Sequence, residues 1–254
     1  MPTPVEFMWR YRNLRVNAVV DDPVTGTCRI NTHVVQLRRY FMMNWTAGTE
    51  EMRDYNVVTR GSRDDTWFQA NKDRIRTAAM GKGAPQDYEL ALEWAVRSRK
   101  IRTVTQASLQ AYCDDHLGID CSGFVTNYLV AVGKRTYSSH TVRNTSAASY
   151  FNAANAVNDP TQVRQGDLLV WMDGNSVRRN PGHVAVVESY RAQSVAGGNM
   201  CVVEATGARG ANPKLLDSMY AVERIIPQGR GVPVMILVVR RHGTSGSRVA
   251  VIRV

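Results

Sequence analysis

Apolar positions in the middle of the chain recur at the spacing of helices. Pro85 suits the first turn of one helix, Leu92 and Val96 lie on its apolar stripe, and basic residues at 97, 99 and 100 favour its C-terminal end. A second, shorter helical pattern covers residues 105–113. The sequence therefore predicts two consecutive helices in this region.

A third helix is predicted to follow the string Asp120-Cys121-Ser122-Gly123. Residues 124, 125, 128, 129 and 132 are apolar and share one helical face, and Gly133 is a natural stop. Cys121 is therefore predicted to lie at the N-terminus of this helix.

From residue 167 onward the pattern becomes that of strands. Runs rich in Val, Ile and Leu, separated by Gly, Asn, Pro and Ser clusters, lie at 167–172, 183–190, 201–205, 232–240 and 248–254. Helices followed by an antiparallel meander predict an α+β fold. A breaker cluster at residues 80–85 is the candidate boundary between an N-terminal extension, residues 1–84, whose role the pattern leaves open, and a domain over residues 85–254.

The charge of the chain limits its partners. Its 254 residues carry a net charge of +10, which favours polyanions. The basic residues lack the interleaved aromatic residues of an RNA-binding sheet, so nucleic acid is not an expected partner. No run approaches the ~18 apolar residues of a membrane helix. Glu6, Arg10 and Arg12 stand where a signal peptide is apolar, so we expect a soluble protein with neither a transmembrane segment nor a signal peptide.

The cysteines and histidines supply the candidate chemistry. Four cysteines are too few for a disulfide scaffold, and three of them are predicted to be buried thiols: Cys28, Cys113 and Cys201. Cys121 differs, because a helix N-terminus stabilises a thiolate nucleophile. His183 is the candidate base, since it heads a strand that can hold it. The remaining histidines fall in polar or irregular surroundings and are weaker candidates: His33, His116, His140 and His242.

A third residue should hold the imidazole in its productive tautomer. A hairpin through a loop at residues 191–199, in which Gly197-Gly198-Asn199 is good turn chemistry, with Val186 paired to Cys201, would set His183 opposite Glu204 on one face. Glu204 is therefore the candidate orienting residue. The hypothesis depends on register, because a slip of one residue turns the carboxylate away.

Three motifs carry a resemblance to a known family: Asp120-Cys121-Ser122-Gly123-Phe124-Val125, Gly166-Asp167-Leu168-Leu169 and Gly182-His183-Val184-Ala185-Val186-Val187. In this order they resemble the NlpC-type family of papain-like bacterial cell-wall cysteine peptidases, over about residues 85–210. The resemblance implies a papain-like core in which the nucleophile helix packs on an antiparallel β-sheet. It also implies that the enzyme hydrolyses amide bonds of peptidoglycan stem peptides without a metal or organic cofactor.

The resemblance also assigns individual residues. Cys121 matches the family's nucleophile and His183 its base, whereas Glu204 stands where the family usually has His, Asn or Gln. A tyrosine upstream of the nucleophile commonly lines the family's site. Tyr112 is therefore a candidate substrate-binding residue, together with Ser122, although the usual glycine pair beside the tyrosine is absent.

Other interpretations stay open. A papain-like acyltransferase or protein-modifying enzyme would share the layout but act on a non-wall substrate. A binding module would share the fold of these enzymes but would have lost their catalytic turnover. Cys113, His116 and Cys121 have zinc-ligand side chains at short spacing, but three donors without a second paired motif do not predict a metal site.

The expected absence of a signal peptide suggests an unusual route to the wall. A basic wall hydrolase of this kind fits a phage-type lysin or an antibacterial effector delivered by a specialised secretion machine. It would act in a bacterial periplasm or cell wall. An effector would also have an immunity protein as a partner in the cell that produces it.

Overall fold

The computed structural model describes residues 1–21, 28–194, 197–208, 213–241 and 244–254. The α-helices in this part of the chain are α1 (Pro4–Tyr11), α2 (Glu50–Thr59), α3 (Thr66–Ala79), α4 (Pro85–Arg97), α5 (Gln106–His116), α6 (Cys121–Ala131) and α7 (Ser139–Asn144). The β-strands are β1 (Leu14–Asp21), β2 (Cys28–Val35), β3 (Leu168–Asp173), β4 (Ser176–Val177), β5 (Val184–Ser194), β6 (Gly197–Ala205), β7 (Leu215–Ile226), β8 (Ile236–Arg241) and β9 (Ser247–Ile252). The predicted α+β class is confirmed.

The three predicted helices begin where the sequence places them. Helix α4 starts at Pro85, and the Thr105 side chain caps α5 by accepting a hydrogen bond from the Ser108 backbone N–H. Helix α6 starts at Cys121 with Asp120 as its N-cap, and Gly133 follows its end with a φ of 72°. Local capping rules are therefore sufficient to place the nucleophile candidate.

Six of the strands close into an antiparallel barrel. Strand β3 pairs with both β5 and β9, and β5 to β9 pair in chain order, while β4 extends the sheet beside β3. Alternate residues of β3 belong to two apolar clusters, with Leu168 and Val170 packed among helix residues and Leu169 and Trp171 among strand residues. Because both faces are buried, these strands have continuous rather than alternating apolar sequences.

The pairing of β5 with β6 differs from the prediction. Val186 pairs with Val203 rather than Cys201, because β5 continues to Ser194 and β6 begins at Gly197, both within the segment predicted as a loop. Residues 197–199, which were predicted to lie in the loop, all belong to β6. The observed register differs from the predicted one by two residues, and an even offset leaves side chains on the same face.

Residues 1–84 pack closely on the core. Phe7 and Tyr11 of α1 place their ring centroids 5.8 Å and 5.9 Å from that of Phe124 on α6. Backbone hydrogen bonds join Phe41 and Arg39 to Ile119, directly before α6, and α6 itself packs on β5 and β6. The extension therefore helps to position the nucleophile helix, and a domain boundary at residue 84 stays a prediction.

The prediction of three buried thiols was wrong for two of them. Cys113 is buried on α5, but Cys28 is exposed and Cys201 is half-buried. Cys28 begins β2, whose side chains are mostly exposed because its hairpin with β1 lies at the surface. None of the described helices is long and apolar enough to cross a membrane.

Candidate active site

Cys121 lies at the first position of α6 and lines a groove of about 340 Å³. Its side chain is almost covered, with 4% of the residue exposed. One wall of the groove comes from the N-terminal extension and the other from the connection after α7 and the approach to β5; the lining includes Tyr40, Met42, Met43, Trp45, Arg143, Thr145, Arg179 and Gly182. The sulfur therefore lies at an open groove rather than in a sealed interior.

His183 is held against this groove by contacts on several sides. Its backbone carbonyl accepts a hydrogen bond from the Trp171 backbone N–H at 3.1 Å, and the Trp171 ring meets the imidazole edge to face at 4.4 Å. The imidazole Nε2 lies 2.7 Å from Oε2 of Glu204. Cys121 interacts with the imidazole as well and raises the pKa of His183, so the two side chains lie close together.

Glu204 is a buried carboxylate, with 1% of the residue exposed. Its second oxygen, Oε1, accepts a hydrogen bond from the Tyr220 hydroxyl at 3.0 Å and lies 3.3 Å from Nη1 of Arg241. Burial alone would raise the pKa of Glu204, but the hydrogen bond and positive charge of His183, together with the charge of Arg241, lower it. The carboxylate is therefore kept ionised.

The same contacts determine the charge of the imidazole. Burial would lower the pKa of His183, but hydrogen bonds to Cys121 and Glu204 and the negative charges of both residues raise it to about 10. The imidazolium form is therefore favoured at neutral pH. This arrangement suits a thiolate and imidazolium pair.

Residues 111–206 match a family model, described as the CHAP domain. The chain carries a CHAP domain. This is a papain-like cysteine amidase or peptidase domain of peptidoglycan hydrolases, so the resemblance to papain-like cell-wall enzymes is confirmed. The match extends from α5 to just beyond Glu204 and includes Cys121 and His183. Comparisons with curated proteins and with solved structures gave no significant match.

Three of the five candidate site residues meet in the CHAP domain, namely Cys121, His183 and Glu204. Ser122 also lines the groove, but its hydroxyl hydrogen-bonds to the Asp120 carboxylate at 3.2 Å and to the Thr145 carbonyl at 3.0 Å. The structure therefore gives Ser122 internal partners at the base of the groove.

Tyr112 does not line the groove. It lies on the face of α5 directed toward Asp54, and its ring packs against His116 at 4.8 Å. Its buried hydroxyl has no hydrogen-bond partner among the described residues. Tyr112 is not among the residues that line the groove, and its assignment to substrate binding stays a prediction.

Another tyrosine, Tyr40, lies at the groove. It lines the groove from the N-terminal extension, outside the CHAP match. Burial, the charges of Cys121 and Asp120, and a hydrogen bond with Cys121 all raise the pKa of Tyr40, so the phenol stays protonated and can donate to the sulfur. No local motif indicates this role, because the contact joins residues far apart in sequence.

The zinc-ligand candidates have other partners. Cys113 lies 3.7 Å from the Gln36 carbonyl, and His116 Nδ1 lies 3.0 Å from Asp54 Oδ1. In the part of the chain that the structure describes, no group of three or more His, Cys, Asp or Glu residues is arranged to hold a metal ion. Cys113 and His116 are therefore not gathered with Cys121, and the expectation that no cofactor is needed stays a prediction. His242 lies outside the described residues.

Proposed function

We propose that the protein is a cysteine amidase or endopeptidase that hydrolyses an amide bond in peptidoglycan stem peptides. Cys121 is the nucleophile, His183 the base and Glu204 the orienting residue. The observation that carries this proposal is the imidazole held between the Cys121 thiol and a buried carboxylate 2.7 Å away. The CHAP domain supports the substrate class, since it is typical of peptidoglycan hydrolases.

The first half of the reaction acylates the enzyme. The Cys121 proton is held by His183, and the thiolate attacks the carbonyl carbon of the scissile amide. The Cys121 backbone N–H is at the first helical position, where no carbonyl of the helix can accept it, so it can donate to the developing oxyanion. His183 gives its proton to the amide nitrogen, the C–N bond breaks, and a thioester remains on Cys121.

The second half releases the acyl group. His183, now neutral, removes a proton from water, which attacks the thioester carbonyl. The C–S bond breaks, the carboxylic acid leaves, and the sulfur and imidazole return to their starting charges. Glu204 remains ionised throughout and keeps the imidazole in one orientation, which is the role of the third residue in triads of this kind.

The charge around the groove suits an acidic substrate. Arg143 and Arg179 both line it, and Arg143 also lies 3.5 Å from Oδ1 of the exposed Asp73. Peptidoglycan stem peptides carry free carboxylates, and the net charge of +10 favours the anionic wall as a whole. Both observations support a wall substrate over a neutral acyl donor.

Digestion of purified sacculi tests this proposal. We expect soluble muropeptides whose masses show one new amine and one new carboxyl group at a single type of bond. Mapping that bond separates an amidase from an endopeptidase. Intact sacculi together with a covalently modified protein or lipid would instead support a papain-like acyltransferase or protein-modifying enzyme.

The biological setting proposed is that of an antibacterial effector or a phage-type lysin, and an effector would be paired with an immunity protein. We expect expression directed to the periplasm of a Gram-negative host to lyse the cells, whereas expression in the cytoplasm leaves them intact. Equal growth in both cases would contradict this setting without affecting the chemistry.

A further inference from the structure

A buried lysine lies at the base of the groove, outside the CHAP match. Lys82 is 8% exposed, and its ammonium group lies 2.6 Å from Oδ2 of Asp120 and 2.9 Å from the Thr145 carbonyl oxygen. It also donates a hydrogen bond to the Ser122 hydroxyl. An ammonium group has three N–H donors, and these three acceptors use all of them. Lys82 therefore has no donor left for a substrate.

The ion-pair partner of Lys82 is directly next to the nucleophile. Asp120 caps α6, with Oδ1 accepting a hydrogen bond from the Gly123 backbone N–H, and it is 4% exposed. Removing its side chain would remove the cap, while its carboxylate places a negative charge on the residue directly before Cys121. A like charge nearby opposes ionisation of a neighbouring acid. An uncompensated Asp120 would therefore work against the Cys121 thiolate.

We propose that Lys82 is a positioning residue of the hydrolase, which neutralises Asp120 so that the N-cap is retained while Cys121 can ionise at neutral pH. This inference rests on the proposed function, because it takes Cys121 as the nucleophile. Lys82 contributes through Asp120 and makes no contact with substrate.

The backbone around Lys82 is fixed without its side chain. The Gly81 carbonyl accepts a hydrogen bond from the Asp120 N–H at 3.0 Å, and the Lys82 carbonyl accepts one from the Asn127 amide at 2.8 Å. The Lys82 N–H donates to the Thr77 carbonyl at 3.0 Å. The main contribution of the side chain is therefore its charge.

Other charged and titratable groups also lie near the sulfur or line its groove. They come from the strands, the N-terminal extension and the groove walls: His183 with Glu204 behind it, Tyr40, Tyr150, Arg143 and Arg179. Each of them is retained when Lys82 alone is changed. A shift in the ionisation of Cys121 in a Lys82 variant therefore measures the effect of the ion pair between Lys82 and Asp120.

Alkylation of Cys121 by iodoacetamide, followed by peptide mass mapping, measures the thiolate directly and separates it from the other cysteines. In Lys82→Met, which keeps an unbranched side chain one heavy atom shorter than that of lysine, we expect alkylation at neutral pH to be roughly tenfold slower. We also expect the pH profile to move to higher pH. A profile identical to that of the wild type would overturn the inference.

The double variant Lys82→Met/Asp120→Asn separates charge from packing. Asparagine is also a good N-cap, so removing the carboxylate should restore alkylation at neutral pH to within roughly twofold of the wild type. If the double variant is alkylated no faster than Lys82→Met, the role of Lys82 is purely structural. If Lys82→Met fails to fold, Asp120→Asn alone is measured. We then expect the pH profile of Cys121 alkylation to move to lower pH. An unchanged profile would count against the inference.

This experiment fails separately from the proposed function, because alkylation requires no wall substrate. If the wild-type enzyme digests sacculi but Lys82→Met keeps the wild-type alkylation profile, only the role of Lys82 is contradicted. Intact sacculi together with the expected alkylation shifts would remove the substrate assignment and leave the role of Lys82 in place.

Discussion

At the scale of residues, Cys121 and Glu204 together determine the charge of His183. The Glu204 carboxylate is buried, so it is stable as an anion only because His183, Arg241 and Tyr220 surround it. In return, Glu204 and Cys121 keep the imidazole protonated to about pH 10, the pKa to which they raise it. Changing one member of this set should therefore change the titration of the others.

Glu204→Gln tests this coupling. Glutamine keeps the length and a hydrogen-bond acceptor but removes the negative charge, so the pKa of His183 should fall from about 10 toward its ordinary value of 6.5. Since the imidazolium is needed to protonate the leaving amine, we expect the alkaline limb of kcat/KM for muropeptide release to move to lower pH. An alkaline limb at the wild-type position would exclude Glu204 as the orienting residue.

Tyr40→Phe removes one donor near the sulfur while keeping the ring that lines the groove. A hydrogen bond to a charged group contributes about 1.5–3 kcal/mol, so we expect muropeptide release to slow by roughly 10- to 100-fold. Tyr112→Phe is the matched control. Its hydroxyl has no hydrogen-bond partner among the described residues, and we expect the variant to keep wild-type activity. Equal losses in the two variants would argue against the role of Tyr40.

At the scale of elements, the sequence predicts what is decided locally. The N-cap Asp120 and the stop at Gly133 define α6, and His183 lies directly before β5, which begins one residue later than predicted. Glu204 was found on the correct face in spite of a wrong register, because an offset of two residues preserves the face. Strand β7 was missed, since polar residues interrupt its apolar pattern.

The contacts that the sequence could not predict join distant segments. Tyr40 and Lys82 reach the groove because residues 39–41 pair with Ile119 and residue 81 pairs with Asp120, and neither pairing has a local signature. Packing of α5 against its neighbours likewise decides that Tyr112 is not among the residues that line the groove. Local patterns therefore predict the candidate nucleophile and base, while the remainder of the groove depends on tertiary packing.

Gly123→Ala tests how closely residues 81 and 82 approach α6. A Cβ at this position would lie 2.5 Å from the Gly81 carbonyl oxygen and 2.9 Å from Cα of Lys82. Such overpacking typically costs about 1–3 kcal/mol, which exceeds the gain of up to about 1 kcal/mol from helix propensity. We expect a lower free energy of unfolding in urea.

Gly229→Ala is the control for this change, because a Cβ there meets no atom within 4 Å. We expect its free energy of unfolding to lie within about 0.5 kcal/mol of the wild type. If Gly123→Ala is equally stable, the backbone of residues 81 and 82 does not lie against the helix start.

At the scale of the whole molecule, the N-terminal extension and the CHAP domain share one core. Phe7, Tyr11 and Leu14 are buried in the same apolar cluster as Phe124 and Val186. The groove likewise has one wall from each part of the chain. We therefore expect the stability of the catalytic site to depend on side chains far outside the family match.

Phe7→Ala tests this dependence. Removing a fully buried phenylalanine costs about 3–5 kcal/mol, so we expect a large loss of unfolding free energy and reduced activity at elevated temperature. Trp9→Ala on the same helix is the control. Trp9 is 49% exposed, and its replacement should cost less than about 1 kcal/mol. Similar small effects of both changes would mean that α1 is peripheral to the core.

The most direct test of the central claim is the rate of muropeptide release from purified sacculi by Cys121→Ala, measured beside Cys201→Ala. Cys201 is half-buried on β6 and is assigned no chemical role, so its variant should retain activity. Because nucleophile and base act as a unit, we predict that Cys121→Ala loses several orders of magnitude in rate. Turnover by Cys121→Ala close to that of the wild type would contradict the assignment of Cys121 as the nucleophile.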